Sequence, residues 1–229
     1  MATFLLVHGH WHGPWCWADV EGLLTAAGHQ VISPTLPCEL PTAGCATNAE
    51  AVIEASRGAI HGPLVLVGHS AGGMTIPLVA DQLGASHLVF VASLLPQTGK
   101  TMVQQFEAEP IIDPEFGYVD DGDGLCHIPA GDAVRYFYQD CAPAAADRAA
   151  ALLRRQTLTP LTEVTPLTTW PALPMTYVAC QLDRVIRPSW QLAAPRERLG
   201  ASVVPLASGH SPMLSQPEAL TEILLRAAL

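Results

Sequence analysis

The chain has 229 residues, of which 49 % are hydrophobic and 14 % are charged, and its formal net charge at pH 7 is −10. This length suits one large α/β domain or one domain with a small insertion, and the apolar content suits a sizeable core. The acidic balance lacks the basic surface of a nucleic-acid-binding protein, and no apolar run reaches the roughly 18 residues of a membrane span, so we expect neither partner.

Short apolar runs alternate with helical patterns along most of the chain. The runs at 64–67 and 88–91 are continuous, which is typical of strands buried on both faces of a parallel sheet. The predicted strands are 3–7, 30–33, 64–67, 87–92, 175–179 and 201–206. The predicted helices are 17–27, 48–60, 71–83 and 217–228, with Asn48 as a helix cap. This alternation predicts a doubly wound α/β fold around a mainly parallel sheet of about six strands.

Residues 96–169 interrupt this alternation, because they contain no convincing buried strand. Residues 113–124 are acidic and Gly-rich and are predicted as a loop, and helices are predicted at 130–139 and 144–156. Residues 157–174 are rich in Thr and Pro and are predicted as an extended connection. We expect residues 1–95 and 170–229 to form the α/β core and residues 96–169 to form a helical lid over the sheet.

The beginning of the chain has no basic lead and no long apolar stretch, so we expect no signal peptide. The six cysteines include no C-x-x-C pair. We therefore expect six reduced thiols in a cytoplasmic protein. Because few residues are charged, we expect a surface with few charges, which is compatible with a homodimer.

The sharpest local signal is the sequence Gly68-His69-Ser70-Ala71-Gly72, which matches the Gly-x-Ser-x-Gly turn between a buried strand and a helix. Such a turn strains the backbone of the serine and points its hydroxyl outward. Small neighbours are needed because the strand and the helix pack closely around the turn. The alternative is an ordinary Gly/Ser turn; we interpret Ser70 as a nucleophile.

A serine hydroxyl needs a base, and the base needs a group that orients it. In hydrolases with this turn the chain order is Ser, then Asp or Glu, then His. Asp183 follows the predicted strand 175–179, and His210 follows the predicted strand 201–206. Both positions lie past the carboxyl ends of strands, where open α/β sheets place their sites. The alternatives are a helix cap for Asp183 and a surface loop histidine for His210.

An acyl-transfer site also needs two backbone N–H groups directed at the developing oxyanion. We assign one to Ala71, which follows the nucleophile, and one to His10 in the loop after the first strand. The same loop offers a rival hypothesis, because His8, His10 and His12 alternate and three imidazoles can hold zinc. The loop has no acidic partner, so we assign no metal.

The chain resembles proteins of the α/β-hydrolase fold and, more narrowly, the small plant-type esterase and hydroxynitrile-lyase group, which includes methyl-salicylate esterases. The resemblance covers nearly the whole chain. It depends on FLLVHG at 4–9, HGPWCW at 12–17, GHSAGG at 68–73, LD at 182–183 and GHSPML at 209–214, and FYQDC at 137–141 is similar to the lid of that group.

The resemblance implies a Ser70, Asp183 and His210 triad, ester cleavage in a pocket under a lid, and no cofactor. The lyases of the group carry Thr directly after the first His and Lys directly after the catalytic His. This chain has Gly9 and Ser211 there, which favours an esterase over a lyase. The chain also departs from the esterases, which usually have a small residue at the position of His10.

The sequence therefore predicts a serine hydrolase that cleaves a small, largely apolar carboxylic ester through an acyl-enzyme. The alternatives are a lyase on the same fold and a ligand-binding or signalling protein with slow turnover. We expect aromatic and apolar side chains to line the substrate pocket, namely Trp11, Met102, Phe106, Tyr136 and Phe137.

Overall fold

The computed structural model describes residues 1–228, and within them two sheets are present. In chain order the strands are β1 (Thr3–Val7), β2 (Gln30–Ile32), β3 (Leu64–His69), β4 (His87–Val91), β5 (Val119–Asp120), β6 (Leu125–His127), β7 (Gln156–Thr157), β8 (Met175–Cys180) and β9 (Ser202–Leu206). The main sheet has six strands in the order β2-β1-β3-β4-β8-β9, and each neighbouring pair is parallel. The predicted fold class is confirmed.

Helices flank this sheet on both faces. The helices of the described chain are, in order, α1 (Ala18–Ala26), α2 (Cys45–Ser56), α3 (Ile76–Leu83), α4 (Met102–Ala108), α5 (Ala130–Tyr136), α6 (Pro143–Ala151), α7 (Thr159–Thr162), α8 (Pro188–Leu199), α9 (Pro212–Ser215) and α10 (Pro217–Arg226), with 3-10 turns at Pro14–Trp17 and Ser70–Met74. None of the helices in residues 1–228 is long and apolar enough to cross a membrane.

The core consists of two apolar clusters because successive side chains of a strand point to opposite faces of the sheet. On one face, β1, β3, β4 and β8 pack against α1 and α10, through Phe4, Leu6, Val20, Leu24, Val65, Val67, Val89, Val91, Val178, Leu220 and Leu224. On the other face they pack against α2, α3, α8 and residues of 96–169, through Leu5, Val7, Val52, Leu66, Ile76, Phe90, Ile128, Ala179 and Trp190. Burial on both faces explains the continuous apolar runs of the central strands.

The helix predicted at 48–60 begins earlier in the structure, at Cys45. The backbone N–H of Cys45 donates to Glu163 Oε1 at 2.5 Å, so a distant carboxylate satisfies this free helix end. Asn48 lies inside the helix, where its N–H donates to Gly44 O. The prediction of Asn48 as the cap is wrong, because the acceptor comes from a residue far along the chain.

Residues 96–169 contain helices together with a small antiparallel sheet in the order β5-β6-β7. The loop predicted over 113–124 is wrong at β5, and the helix predicted over 144–156 ends at Ala151. Helix α4 was also not predicted, although Thr101 and Gln104 form a capping box at its start. The N–H of Thr157 donates to Cys38 O at 2.8 Å, which fastens the small sheet to the loop after β2.

A buried tyrosine on β8 fixes the loop that follows β4. The hydroxyl of Tyr177 donates to Ser93 O at 2.7 Å and accepts from Ser93 N–H at 2.8 Å. Ser93 Oγ and Leu94 N–H in turn donate to the carbonyl oxygen of Ser70, at 2.7 and 3.0 Å. Strand β8 therefore supports the backbone of Ser70 through the loop at Ser93.

We expect Tyr177→Phe to lower the free energy of unfolding by about 2–4 kcal/mol, because it leaves two buried backbone groups of Ser93 unpaired. Urea denaturation measures this change. Tyr118→Phe is the matched control, since the Tyr118 side chain is 47 % exposed and its effect should stay within about 0.5 kcal/mol. Equal effects of the two substitutions would contradict the support assigned to Tyr177.

Candidate active site

Ser70 lies in a strained turn at the carboxyl end of β3. Its φ is +51°, in the left-handed region that non-glycine residues rarely adopt. The neighbouring backbone leaves no room for side chains: a Cβ at Gly68 would lie 2.8 Å from Gly73 N, and one at Gly72 would lie 2.5 Å from Val7 O. The strained turn predicted from the two glycines is therefore present.

Asp183 and His210 form a buried pair beyond the carboxyl ends of β8 and β9. His210 Nδ1 lies 2.8 Å from Asp183 Oδ2, and the two residues are 1 % and 6 % exposed. The other carboxylate oxygen, Oδ1, accepts from the N–H groups of Val185 and Ile186 at 2.7 and 3.1 Å. Because a carboxylate only accepts, His210 donates through Nδ1–H, and in a neutral imidazole that donates in this way the lone pair is on Nε2.

Gln191 on α8 is a further member of this site that the sequence analysis missed. Its side chain is fully buried; Nε2 donates to Asp183 Oδ2 and to Ile186 O, both at 2.7 Å, and Oε1 accepts from Cys180 N–H at 2.9 Å. The carboxylate of Asp183 therefore accepts hydrogen bonds from four donors. A single glutamine in a helix carries no sequence motif, so only the packing of α8 reveals this role.

The loop that carries His210 is held from two sides. Gly209 N–H donates to Asp140 Oδ2 at 2.6 Å, and His69 Nε2 lies 2.9 Å from His210 O. The rings of His69 and Phe137 flank the imidazole of His210, with centroid distances of 4.8 and 5.6 Å. Asp140 was noted in the sequence only as part of the FYQDC segment, and no motif predicted its contact with Gly209.

The structure brings the turn at Ser70 to the Asp183–His210 pair, since His69 precedes Ser70 and contacts His210. Among residues 1–228, neither Ser70 Oγ nor His210 Nε2 makes a hydrogen bond. Both atoms are therefore free to engage a ligand.

His10 and Ala71 lie beside Ser70, on the wall of the same cavity. In the described part of the chain, no acceptor pairs with the backbone N–H of either residue. Two free N–H groups beside a serine hydroxyl can both donate to one oxygen. His10 and Ala71 are the residues for which the sequence predicts oxyanion donors, and that role stays a prediction.

The cavity next to Ser70 has a volume of about 370 Å³ and a mainly apolar lining. Trp11 and Phe106 line it, as do Leu94, Val103, Phe116, Leu161 and Ile186. Met102, Tyr136 and Phe137 were also predicted to line the pocket, but the structure buries them behind its wall. Tyr136 donates its hydroxyl to Glu115 O at 2.6 Å, and the rings of Tyr136 and Phe137 support Phe116 from behind.

The three alternating histidines of the loop after β1 do not converge. His8 Nδ1 bonds Gly9 O, and its Nε2 accepts from Leu36 N–H. His12 Nδ1 bonds His10 O, and its Nε2 accepts from the hydroxyl of Tyr138 at 2.9 Å. Residues 1–228 contain no group of three His, Cys, Asp or Glu side chains arranged as metal ligands.

Burial keeps the histidines around the site neutral. It lowers the pKa of His8 to about 4 and the pKa values of His10 and His12 to about 3. Burial and the neighbouring His210 hold the pKa of His69 well below its ordinary value. His69, which packs against His210, is therefore uncharged at neutral pH.

Comparison with known proteins identifies the class. The alpha/beta hydrolase family matches residues 4–223, so the chain belongs to that family. It is 37 % identical to a carbendazim hydrolyzing esterase of Nocardioides sp. (strain SG-4G) over 112 residues, which are 45 % of this chain and 46 % of that esterase.

Two plant proteins match the chain over nearly its whole length. Methylesterase 2 of Arabidopsis thaliana is 25 % identical over 250 residues, covering 98 % of this chain and 95 % of that protein. The crystal structure of a methylesterase protein, MES16, from Arabidopsis has the same fold, with a TM-score of 0.81, 22 % identity and coverage of 99 % and 98 %. The predicted resemblance to the plant-type esterase group is confirmed, and these relatives support a carboxylic-ester hydrolase.

Acid should destabilise the protein, because the buried histidines stay neutral in the fold. An unfolded histidine takes up a proton near pH 6.5, whereas folded His8 does so only near pH 4. In the interval the unfolded state binds more protons, so the free energy of unfolding decreases as the pH falls. Each such histidine contributes up to about 1.4 kcal/mol per pH unit to the slope of the free energy of unfolding against pH. Urea denaturation at several pH values between about 4 and 7 measures this slope.

His12→Gln removes one buried neutral histidine, so it should reduce the slope of the free energy of unfolding against pH by about the contribution of one histidine. His61→Gln is the control, because the His61 side chain is exposed and its replacement should leave the slope unchanged. Identical slopes in the wild type and both variants would show that His12 does not stay neutral in the fold.

Proposed function

We propose that the chain hydrolyses small, largely apolar carboxylic esters through an acyl-enzyme on Ser70. The observation that carries the proposal is the buried hydrogen bond between Asp183 and His210, which lies next to a strained serine. The apolar cavity beside Ser70 supports a small apolar substrate.

The reaction begins when Ser70 Oγ attacks the ester carbonyl carbon. His210 Nε2 takes the hydroxyl proton, and the resulting imidazolium is stabilised by the carboxylate of Asp183. The four hydrogen bonds to Asp183 hold the carboxylate in place. The imidazole therefore keeps the tautomer in which Nε2 accepts the proton.

The tetrahedral intermediate places a negative charge on the former carbonyl oxygen. The N–H groups of His10 and Ala71 donate to this oxygen. Collapse breaks the bond to the alcohol oxygen, which receives the proton from His210 and leaves. Water then attacks the acyl carbon, His210 takes a proton from that water, and Ser70 leaves with the proton as the carboxylic acid is released.

Two positions favour ester hydrolysis over lyase chemistry. Gly9 and Ser211 stand where the lyases of the group carry Thr and Lys. A Cβ at Gly9 would lie 2.7 Å from the Cβ of Ser70, so a threonine there would displace the nucleophile in this backbone. No lysine follows His210 to stabilise a cyanide leaving group.

We also propose that residues 96–169 act as the lid of the substrate pocket. Val103, Phe106, Phe116 and Leu161 all come from this segment and line the cavity beside Ser70. The core contributes the reactive groups, and the inserted segment contributes most of the apolar wall. Substrate size and shape therefore depend on the segment.

Ser70→Ala should abolish the hydrolysis of a nitrophenyl ester, with a loss of at least about 10⁴-fold in kcat. Mass spectrometry of the quenched wild type should detect the acyl group on the peptide that contains Ser70. Ser202→Ala is the control, since Ser202 is exposed at the start of β9 and its replacement should leave activity unchanged. Turnover retained in Ser70→Ala would exclude the acyl-enzyme.

Asp183→Asn should lower kcat by about 10⁴-fold while the protein stays folded, because an amide neither fixes the imidazole tautomer nor stabilises the imidazolium. Steady-state kinetics and circular dichroism measure the two effects. Asp147→Asn is the matched control on the exposed face of α6. A loss below about tenfold would remove Asp183 from the mechanism.

A further inference from the structure

The wall of the cavity beside Ser70 carries a buried polar side chain that has no partner. His10 is 8 % exposed, and its Nε2 is buried without a hydrogen bond among residues 1–228. The ring contacts Trp11 edge to face, with centroids 5.5 Å apart. Both residues line the cavity.

The hydrogen bonds of the neighbouring histidines, His8 and His12, are typical of a structural role. In His8 and in His12, both ring nitrogens are engaged with backbone groups or with Tyr138. A buried polar atom without a partner costs about 1–3 kcal/mol. His10 bears this cost at Nε2, which the surrounding atoms shield from solvent. Its other ring nitrogen, Nδ1, is not shielded in this way and also makes no hydrogen bond among residues 1–228, so a ligand in the cavity can supply a partner to that atom.

The imidazole of His10 is neutral at neutral pH. Burial and the nearby His8 lower its pKa to about 3. A neutral imidazole offers one N–H donor and one lone-pair acceptor. It therefore suits a neutral polar group, such as a hydroxyl, rather than a carboxylate that would require an imidazolium partner.

The position of His10 relative to the base indicates which part of the ester it meets. The leaving alcohol must take its proton from His210, so the alcohol lies on the side of Ser70 that faces His210. His210 is packed against His69 and Phe137, and it is not among the residues that line the cavity, whereas His10 is. The acyl group, which stays on Ser70, therefore occupies the cavity beside His10.

We propose that the side chain of His10 is a specificity-determining group that hydrogen-bonds a hydroxyl, or another neutral polar group, near the carbonyl carbon of the acyl part. The inference rests on the proposed ester hydrolysis. One residue then has two functions: its backbone N–H donates to the oxyanion, and its ring recognises the acyl group. The preferred substrates are esters of hydroxy acids and related acids with a polar group close to the carboxyl.

The test compares two esters that differ in one hydroxyl group, methyl mandelate and methyl phenylacetate. The kcat/KM of each is measured with the full-length wild type, with His10→Leu and with His10→Gln. We expect the wild type to prefer the mandelate by about tenfold or more, since an unpaired buried group penalises the analogue without the hydroxyl. His10→Leu should bring the ratio close to one, because leucine removes the ring nitrogens but keeps the backbone N–H.

His10→Gln should keep part of the preference, because its amide still offers a donor and an acceptor. The ratio of the two kcat/KM values does not depend on the absolute rate of a variant, so a general loss of activity leaves this ratio unchanged. If His10 has only a structural role, its substitution should change the kcat/KM of both esters by the same factor.

Two failures are distinguishable. If the wild type hydrolyses both esters equally, or if His10→Leu keeps the preference, the role of His10 is overturned while ester hydrolysis stands. If Ser70→Ala hydrolyses either ester as fast as the wild type, the proposed function itself fails, and the inference fails with it.

Discussion

The backbone of the turn at Ser70 passes so close to β1 and to the following 3-10 turn that side chains do not fit at Gly68 or Gly72. This contact brings the carboxyl ends of β1 and β3 together. The loops that follow these two strands meet there, and His10, Ser70 and Ala71 line the same cavity. This close approach of the backbone therefore places the strained Ser70 on the wall of the cavity.

The second requirement of the site is a buried carboxylate. A buried charge is unfavourable unless hydrogen bonds replace its hydration. Asp183 receives such bonds from Val185, Ile186, Gln191 and His210. The buried His69 beside His210 is kept neutral by burial, which leaves His210 as the imidazole that is hydrogen-bonded to the carboxylate of Asp183. In the proposed mechanism, the carboxylate of Asp183 is therefore the fixed charge that stabilises the imidazolium of His210.

Local patterns explain what the sequence could predict. The glycines on either side of Ser70, the continuous apolar runs of β3 and β4, and the short motifs that contain Asp183 and His210 can each be recognised within a short window of a few consecutive residues. Asp140, Glu163 and Gln191 act through contacts with residues distant in the chain or on another element, and no window contains those partners. The strands β5 to β7 are two or three residues long, too short for a period of two to appear.

The fastening of β7 has a consequence for how the cavity admits molecules. Thr157 N–H bonds Cys38 O, and the neighbouring Arg154 N–H donates to Trp11 O at 2.7 Å. Moving residues 96–169 away from the core as one body would break these bonds. The lining residues Val103 and Tyr118, by contrast, are partly exposed to solvent. If the proposed ester hydrolysis is correct, the cavity of about 370 Å³ therefore sets an upper limit on the size of the acyl group.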